Sequence, residues 1–186
     1  FWESRTFEKY GIPAMFVCDG PSGLRKQDLN GSLDMLGINK SLPATCFPAA
    51  VTTAGSWDPE LTQTIGSAIG EEALQQGVGV VLGPGCNLKR NPLCGRNFEY
   101  FSEDPYLSGK MAAGFIRGVE SKGIGTSLKH FAANSQELSR FTSDSILDDR
   151  ALRELYLTAF EIAVKEAKPS TVMCSYPKVN GIHASD

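Results

Sequence analysis

Short apolar runs alternate along the chain with longer segments in which apolar residues recur at helical period. The runs Ile12 to Cys18, Val78 to Leu82, Gly125 to Phe131 and Ser170 to Tyr176 read as strands, with a weaker candidate at Ala49 to Thr53. Such alternation predicts strand-helix units and a parallel sheet. Asp58-Pro59 and Asp104-Pro105 each place an N-cap acceptor before a proline, whose fixed φ and missing N–H suit the first helical position. Both read as helix starts. The first helix shows Leu61, Ile65, Ala68 and Ile69 on one face, and the second Leu107, Met111, Phe115 and Val119. A third begins after Asp148, is expected to bury Leu152, Leu155, Tyr156, Ala159, Phe160 and Ala163, and stops at Lys168-Pro169. Strands near 80, 127 and 173 recur at about 45 residues, a spacing that suits a barrel with elaborated loops better than a compact doubly wound sheet. The expected fold is α/β, a partial (β/α)8 TIM-type barrel of roughly the first four to five strand-helix units. Eight units typically take about 250 residues, and the chain has 186. Residues 1–186 show no internal repeat or linker and read as one incomplete domain. A barrel left open at one strand is expected to associate or aggregate unless its remaining units are present.

Composition narrows the function classes. With 21 acidic against 18 basic residues and no basic block, the chain offers no surface for nucleic acid. No apolar run approaches the roughly 20 residues that span a bilayer, and the N-terminal FWESRTFEKYG lacks the layout of a signal peptide. Without an initiator Met, however, a leader is not excluded. The five cysteines, Cys18, Cys46, Cys86, Cys94 and Cys174, form no Cys-x-x-Cys pair. They read as buried thiols of a reducing compartment, with Cys18, Cys86 and Cys174 at the ends of apolar runs. Localisation stays open, with the cytoplasm slightly favoured. No metal-ligand spacing is visible, so metal-independent chemistry without a cofactor is expected. No glycine-rich run has phosphate-loop spacing, and Lys89-Arg90 reads as a solvated surface pair.

Four polar clusters fall at or beyond predicted strand ends, the face on which parallel barrels hold their active sites. In CDGPSGLR, Cys18 to Arg25, an acid leaves a strand into a glycine-proline turn that fixes its carboxylate at the sheet mouth. CGRNFEYFSEDP, Cys94 to Pro105, mixes Arg96, Glu99 and Glu103 with Phe98, Tyr100 and Phe101, an aromatic content unusual for a solvated loop. SLKHFAANSQE, Ser127 to Glu137, sets Lys129 and His130 side by side at a strand end. VMCSYPKVNG, Val172 to Gly181, ends a strand with Met173 and Tyr176. Each cluster alone also fits a structural turn; their order and spacing together are specific.

With these four segments in this order, the chain resembles the N-terminal domain of glycoside hydrolase family 3, β-glucosidase-like branch, nearly end to end. The resemblance implies a retaining β-glycosidase acting on terminal non-reducing β-D-glucosyl residues, with a β-glucoside or related saccharide as substrate. By position, Asp19 matches the acid that grips distal hydroxyls, with Arg25 on the same motif. Arg96 matches the arginine of the GR motif, Lys129 and His130 the paired cations on ring hydroxyls, and Met173 and Tyr176 the subsite wall. A retaining enzyme needs two carboxyl groups about 5 to 5.5 Å apart. The family's nucleophile sits in an SDW-like motif on a later strand, and its acid/base glutamate in a separate domain. Neither is found in this chain, so no catalytic residue is assigned to it. It is expected to be inactive alone and to need the remainder of the parent enzyme. Ser185-Asp186 imitates two letters of the nucleophile motif but reads as the opening of a helix. Pro177 stands where the family usually has Asn. The His-Asp dyad of the N-acetylglucosaminide branch is replaced by AANSQE, in which Asn134 and Glu137 are expected to brace the loop. The competing expectation is a non-catalytic carbohydrate-binding or regulatory remnant.

Overall fold

Four of the apolar runs build one parallel sheet in the computed structural model, which describes residues 2–28 and 40–186. In chain order the elements are β1 (Val17–Asp19), α1 (Ala50–Ala54), α2 (Pro59–Gln75), β2 (Val80–Leu82), α3 (Pro105–Glu120), β3 (Gly125–Phe131), β4 (Asp144–Ser145), α4 (Asp149–Ala151), α5 (Thr158–Ala167), β5 (Thr171–Cys174), β6 (Lys178–Val179) and β7 (Ile182–His183). The main sheet runs β1-β2-β3-β5 with every pair parallel. Spatial order equals chain order, so each crossover adds its strand on the same side and its helix on the same face. That is the winding of a barrel; in a doubly wound sheet the order reverses. Among the described residues the sheet is not closed, and β1 and β5 are its edges.

Both proline-led helices start as expected. The Asp58 carboxylate accepts from the amides of Glu60 and Leu61 at 2.9 and 3.0 Å, and Asp104 accepts from Leu107 at 2.6 Å. Of the expected α2 face, Ile69 is buried and Ile65 packs against the core, but the other two positions differ. Thr62, Gly66, Ile69, Gly70 and Ala73 are buried, whereas Leu61 and Ala68 are exposed. The reason lies in the glycines, which carry no hydrophobic signal yet let two helix backbones touch. A Cβ on Gly66 would stand 2.5 Å from the Phe115 carbonyl oxygen, and one on Gly118 would stand 2.1 Å from that of Gln63. In α3, Met111, Phe115 and Val119 are buried as the pattern predicts, wedged between α2 and α5.

Other expectations are corrected by local geometry. Ala49 to Thr53 is not a strand: Ala50, Thr53 and Ala54 form the buried face of the short helix α1, against Phe101 and Met111. β1 begins only at Val17, and Ile12 is exposed in an isolated bridge to Phe7. The third helix is interrupted by a π turn at Leu152–Tyr156, where the Leu157 amide donates to the Leu152 carbonyl at 2.9 Å. The inserted residue rotates the preceding turn, so Leu155 is exposed while Ala159, Phe160 and Ala163 stay buried. Cys18, Cys86 and Cys94 are buried, but Cys174 is exposed with Cys46, because β5 lies at the sheet edge. All five thiols are free, and burial pushes that of Cys18 up to about 11. No helix of the described residues is long and apolar enough to cross a membrane.

Candidate functional site

The C-terminal ends of β1 and β3 meet over a network of buried charges. Asp19 is the last residue of β1, and the chain turns away through Gly20-Pro21-Ser22-Gly23. Gly23 has φ +121° and a Cβ there would lie 2.0 Å from the Thr45 carbonyl oxygen, so the turn requires glycine. The Arg25 amide closes it on the Asp19 carbonyl at 2.9 Å, with the residue itself exposed. At the end of β3, pairing with β5 shifts register between Lys129 and Phe131, leaving His130 as the unpaired residue of a bulge. Adjacent strand residues normally point to opposite faces, and a bulge re-aims one of them. Lys129 and His130 therefore enter the same network. The Asn87 side chain pins the bulge from β2's side, accepting from the His130 amide at 2.7 Å and donating to its carbonyl at 2.9 Å.

The segment 94–104 supplies the third wall. Phe98 is exposed, but Tyr100 and Phe101 are buried, with Tyr100 against Gly85, where a Cβ would come within 2.9 Å of its ring. A turn of 3-10 helix at Asn97–Glu99 follows Arg96. The Glu99 side chain then bridges two cations, with Oε1 2.5 Å from Arg96 Nε and Oε2 2.9 Å from Lys129 Nζ. Lys129 Nζ lies 3.4 Å from Asp19 Oδ1; the lysine side chain is 2% exposed and that of Asp19 41%. On the far side, Arg96 Nη2 is 2.6 Å from His130 Nε2, and His130 Nδ1 is 2.9 Å from the Tyr100 hydroxyl. Asn134 Nδ2 donates both to that hydroxyl, at 2.9 Å, and to Glu137, at 3.1 Å, so this pair does tie the loop down. Glu137 in turn accepts from Arg140 at 2.9 Å, and the Arg140 guanidinium lies over the rings of Phe141 and Tyr176.

These contacts assign the imidazole. A guanidinium only donates, so His130 Nε2 accepts from Arg96 and the ring proton sits on Nδ1, donating to Tyr100. Burial, reinforced by the Arg96, Lys129 and Arg140 charges, drives its pKa down to about 2. Burial opposes the Arg96 charge too, but the Glu99 carboxylate outweighs it and the guanidinium is held above its ordinary value. In the unfolded chain His130 takes up a proton near pH 6.5 while the folded chain does not, so stability is lost as pH falls below about 6.5. Carboxylates titrate mainly below pH 5, so the window from 6.5 to 5 reports on histidine, and comparison with a His130 variant isolates this one. Unfolding free energy should fall there with a slope approaching about 1.4 kcal/mol per pH unit, and His130→Asn should flatten the slope. Equal slopes in chemical denaturation of the two proteins would contradict this environment.

Asp19, Arg96, Lys129 and His130 thus stand in one hydrogen-bonded cluster. Met173 is half-buried on β5 in register with Lys129. Tyr176 is exposed beyond β5, its ring 4.8 Å from Phe141. Lys89 departs from the expected solvated pair: its ammonium donates to the Asn97 carbonyl at 2.7 Å, and partial burial lowers its pKa. Glu99, Tyr100, Asn87 and Arg140 were not singled out from sequence as site residues. The legible clue to the first two was the mixture of charge and aromatics in one loop; Asn87 and Arg140 gave none. Among the described residues no group of three or more His, Cys, Asp or Glu is placed to hold a metal ion.

Comparison with known proteins places the chain in a family. Residues 9–186 match the family model described as the glycosyl hydrolase family 3 N terminal domain. The thermostable beta-glucosidase B of Acetivibrio thermocellus is 55% identical over 186 residues, and an exo-alpha-(1->6)-L-arabinopyranosidase of Bifidobacterium longum is 53% identical over 184. The chain is covered at 100% and 99% in these matches and spans 24% of each relative's length. Beta-glucosidase 3B of Thermotoga neapolitana, solved in complex with glucose, superposes with a TM-score of 0.90 at 47% identity over 98% of this chain and 25% of that one. The beta-glucosidase of Kluyveromyces marxianus, also in complex with glucose, gives 0.91 at 42% identity over 100% and 21%. The chain belongs to glycosyl hydrolase family 3, and its parallel sheet and helices match the N-terminal, barrel-like part of those structures.

Proposed function

We propose that this chain forms the sugar-binding floor of a retaining β-glycosidase that removes terminal non-reducing β-D-glucosyl residues. The observation that carries the reading is Asp19, a half-open carboxylate at a strand end, backed by the buried Lys129 ammonium. A carboxylate so placed accepts two neighbouring sugar hydroxyls at once, and Arg96 donates from the opposite side of the same cluster. Met173 and Tyr176 form the subsite wall, with Arg25 at its rim. Glu99 is buried between two cations, unsuited to attack on an anomeric carbon, and Asp19 is committed to binding. As the family resemblance implies, the nucleophile and the proton donor come from other parts of the complete polypeptide, and this chain alone is inactive. The relatives' names favour a glucoside, while the arabinopyranosidase among them keeps the exact pyranoside open to assay.

The test is hydrolysis. The complete polypeptide should release glucose from an aryl β-glucoside with retained anomeric configuration and should bind glucose at this network, while residues 1–186 alone turn over nothing. A folded complete polypeptide that hydrolyses no β-glycoside would leave the carbohydrate-binding or regulatory reading in its place.

A further inference from the structure

We infer that Glu99 is a positioning residue for the sugar subsite: by holding the Lys129 ammonium away from Asp19, it keeps the Asp19 carboxylate open to substrate. This rests on the proposed glycosidase reading and adds a residue to it that touches no substrate itself.

Lys129 has two carboxylates in reach and is not shared equally. Its ammonium is 2.9 Å from Glu99 Oε2, the length of a charge-assisted hydrogen bond, and 3.4 Å from Asp19 Oδ1, which is long for one. Both Lys129 and Glu99 are buried, whereas Asp19 opens to solvent. The Glu99 side chain is 2% exposed, and away from water its pull on the ammonium is strong. Its other oxygen is anchored by Arg96 at 2.5 Å, which fixes the carboxylate's direction. With Glu99 neutral, Arg96 retains Glu137 at 4.0 Å, whereas Lys129 keeps only Asp19 as a close counter-charge among the described residues. The lysine cannot turn to water, and closing a few tenths of an ångström brings it into a tight pair with Asp19. That pair would occupy lone pairs the sugar hydroxyls need. Glu99 thus acts through Lys129 on the availability of Asp19.

The experiment compares the complete polypeptide with Glu99→Gln, Asp19→Asn and the double variant, using an aryl β-glucoside, with folding followed by circular dichroism. In the Asp19-containing background Glu99→Gln should raise KM and lower kcat/KM by about tenfold or more, the scale of a lost charged hydrogen bond. In the Asp19→Asn background, where no carboxylate is left to capture Lys129, the same change should cost no more than about threefold. If Glu99→Gln fails to fold, Glu99→Asp, which keeps the charge but withdraws it from Lys129, is judged by the same two criteria. A folded variant with unchanged KM and kcat/KM, or an undiminished loss in the Asp19→Asn background, overturns the inference while the glycosidase reading stands. A wild-type protein that hydrolyses no glycoside overturns both and is recognised before any variant is compared.

Discussion

Asp19→Ala in the complete polypeptide should lose about 1.5 to 3 kcal/mol or more of transition-state stabilisation, roughly 10- to 100-fold in kcat/KM or beyond, without unfolding the protein. Its carboxylate is half-open, and of the contacts that hold the turn, the Arg25 amide bonds the Asp19 backbone carbonyl, which alanine retains. Lys129 keeps its shorter bond to Glu99 when Asp19 is gone, so the buried cation is not stranded. The loss therefore falls on substrate. Near-normal kcat/KM in the purified, folded variant would remove Asp19 from the site; a parallel fall in melting temperature would make it structural.

Lys129→Met is expected to behave in the opposite way, with stability and activity failing together. The side chain is nearly solvent-free, and its removal leaves Glu99 buried with Arg96 as its remaining cation. Breaking one side of a buried ion pair costs about 3 to 5 kcal/mol, since the stranded charge keeps its desolvation penalty. Replacing Lys129 and Glu99 together by Met and Gln should recover part of the lost stability but not the activity. Chemical denaturation of the single and double variants separates these terms. A single variant within about 0.5 kcal/mol of wild type would show that the pair is better solvated than its geometry indicates.

These two expectations draw on residues of differing legibility. Asp19, Lys129 and His130 are readable because each stands at or beside the end of a predicted strand. The resemblance attached sugar hydroxyls to those positions; the residues alone said only that charge was held at a sheet mouth. The winding was readable as well, since strand spacing and helix caps both report local chemistry. What escaped was set by backbone proximity. The α2 face turned on Gly66 and Gly118, which hydrophobic periodicity cannot see, and the π turn before Thr158 displaced a stripe that looked regular in sequence. Glu99 was visible as a charged letter, but not as a buried one. Its partner Lys129 lies thirty positions on, next to a β-bulge that no pattern announces. Cys174 is exposed because β5 has no strand on its outer side among the described residues, which no local pattern reports.

The position of a bound sugar is the most direct test of the role of Asp19. A structure of the complete polypeptide with glucose should place adjacent ring hydroxyls on the Asp19 carboxylate, with Lys129, Arg96 and His130 in the same hydrogen-bonded shell and the Lys129–Glu99 pair intact. Glucose bound elsewhere, with Asp19 closed onto Lys129 and no hydroxyl within about 3.2 Å of its oxygens, would contradict it.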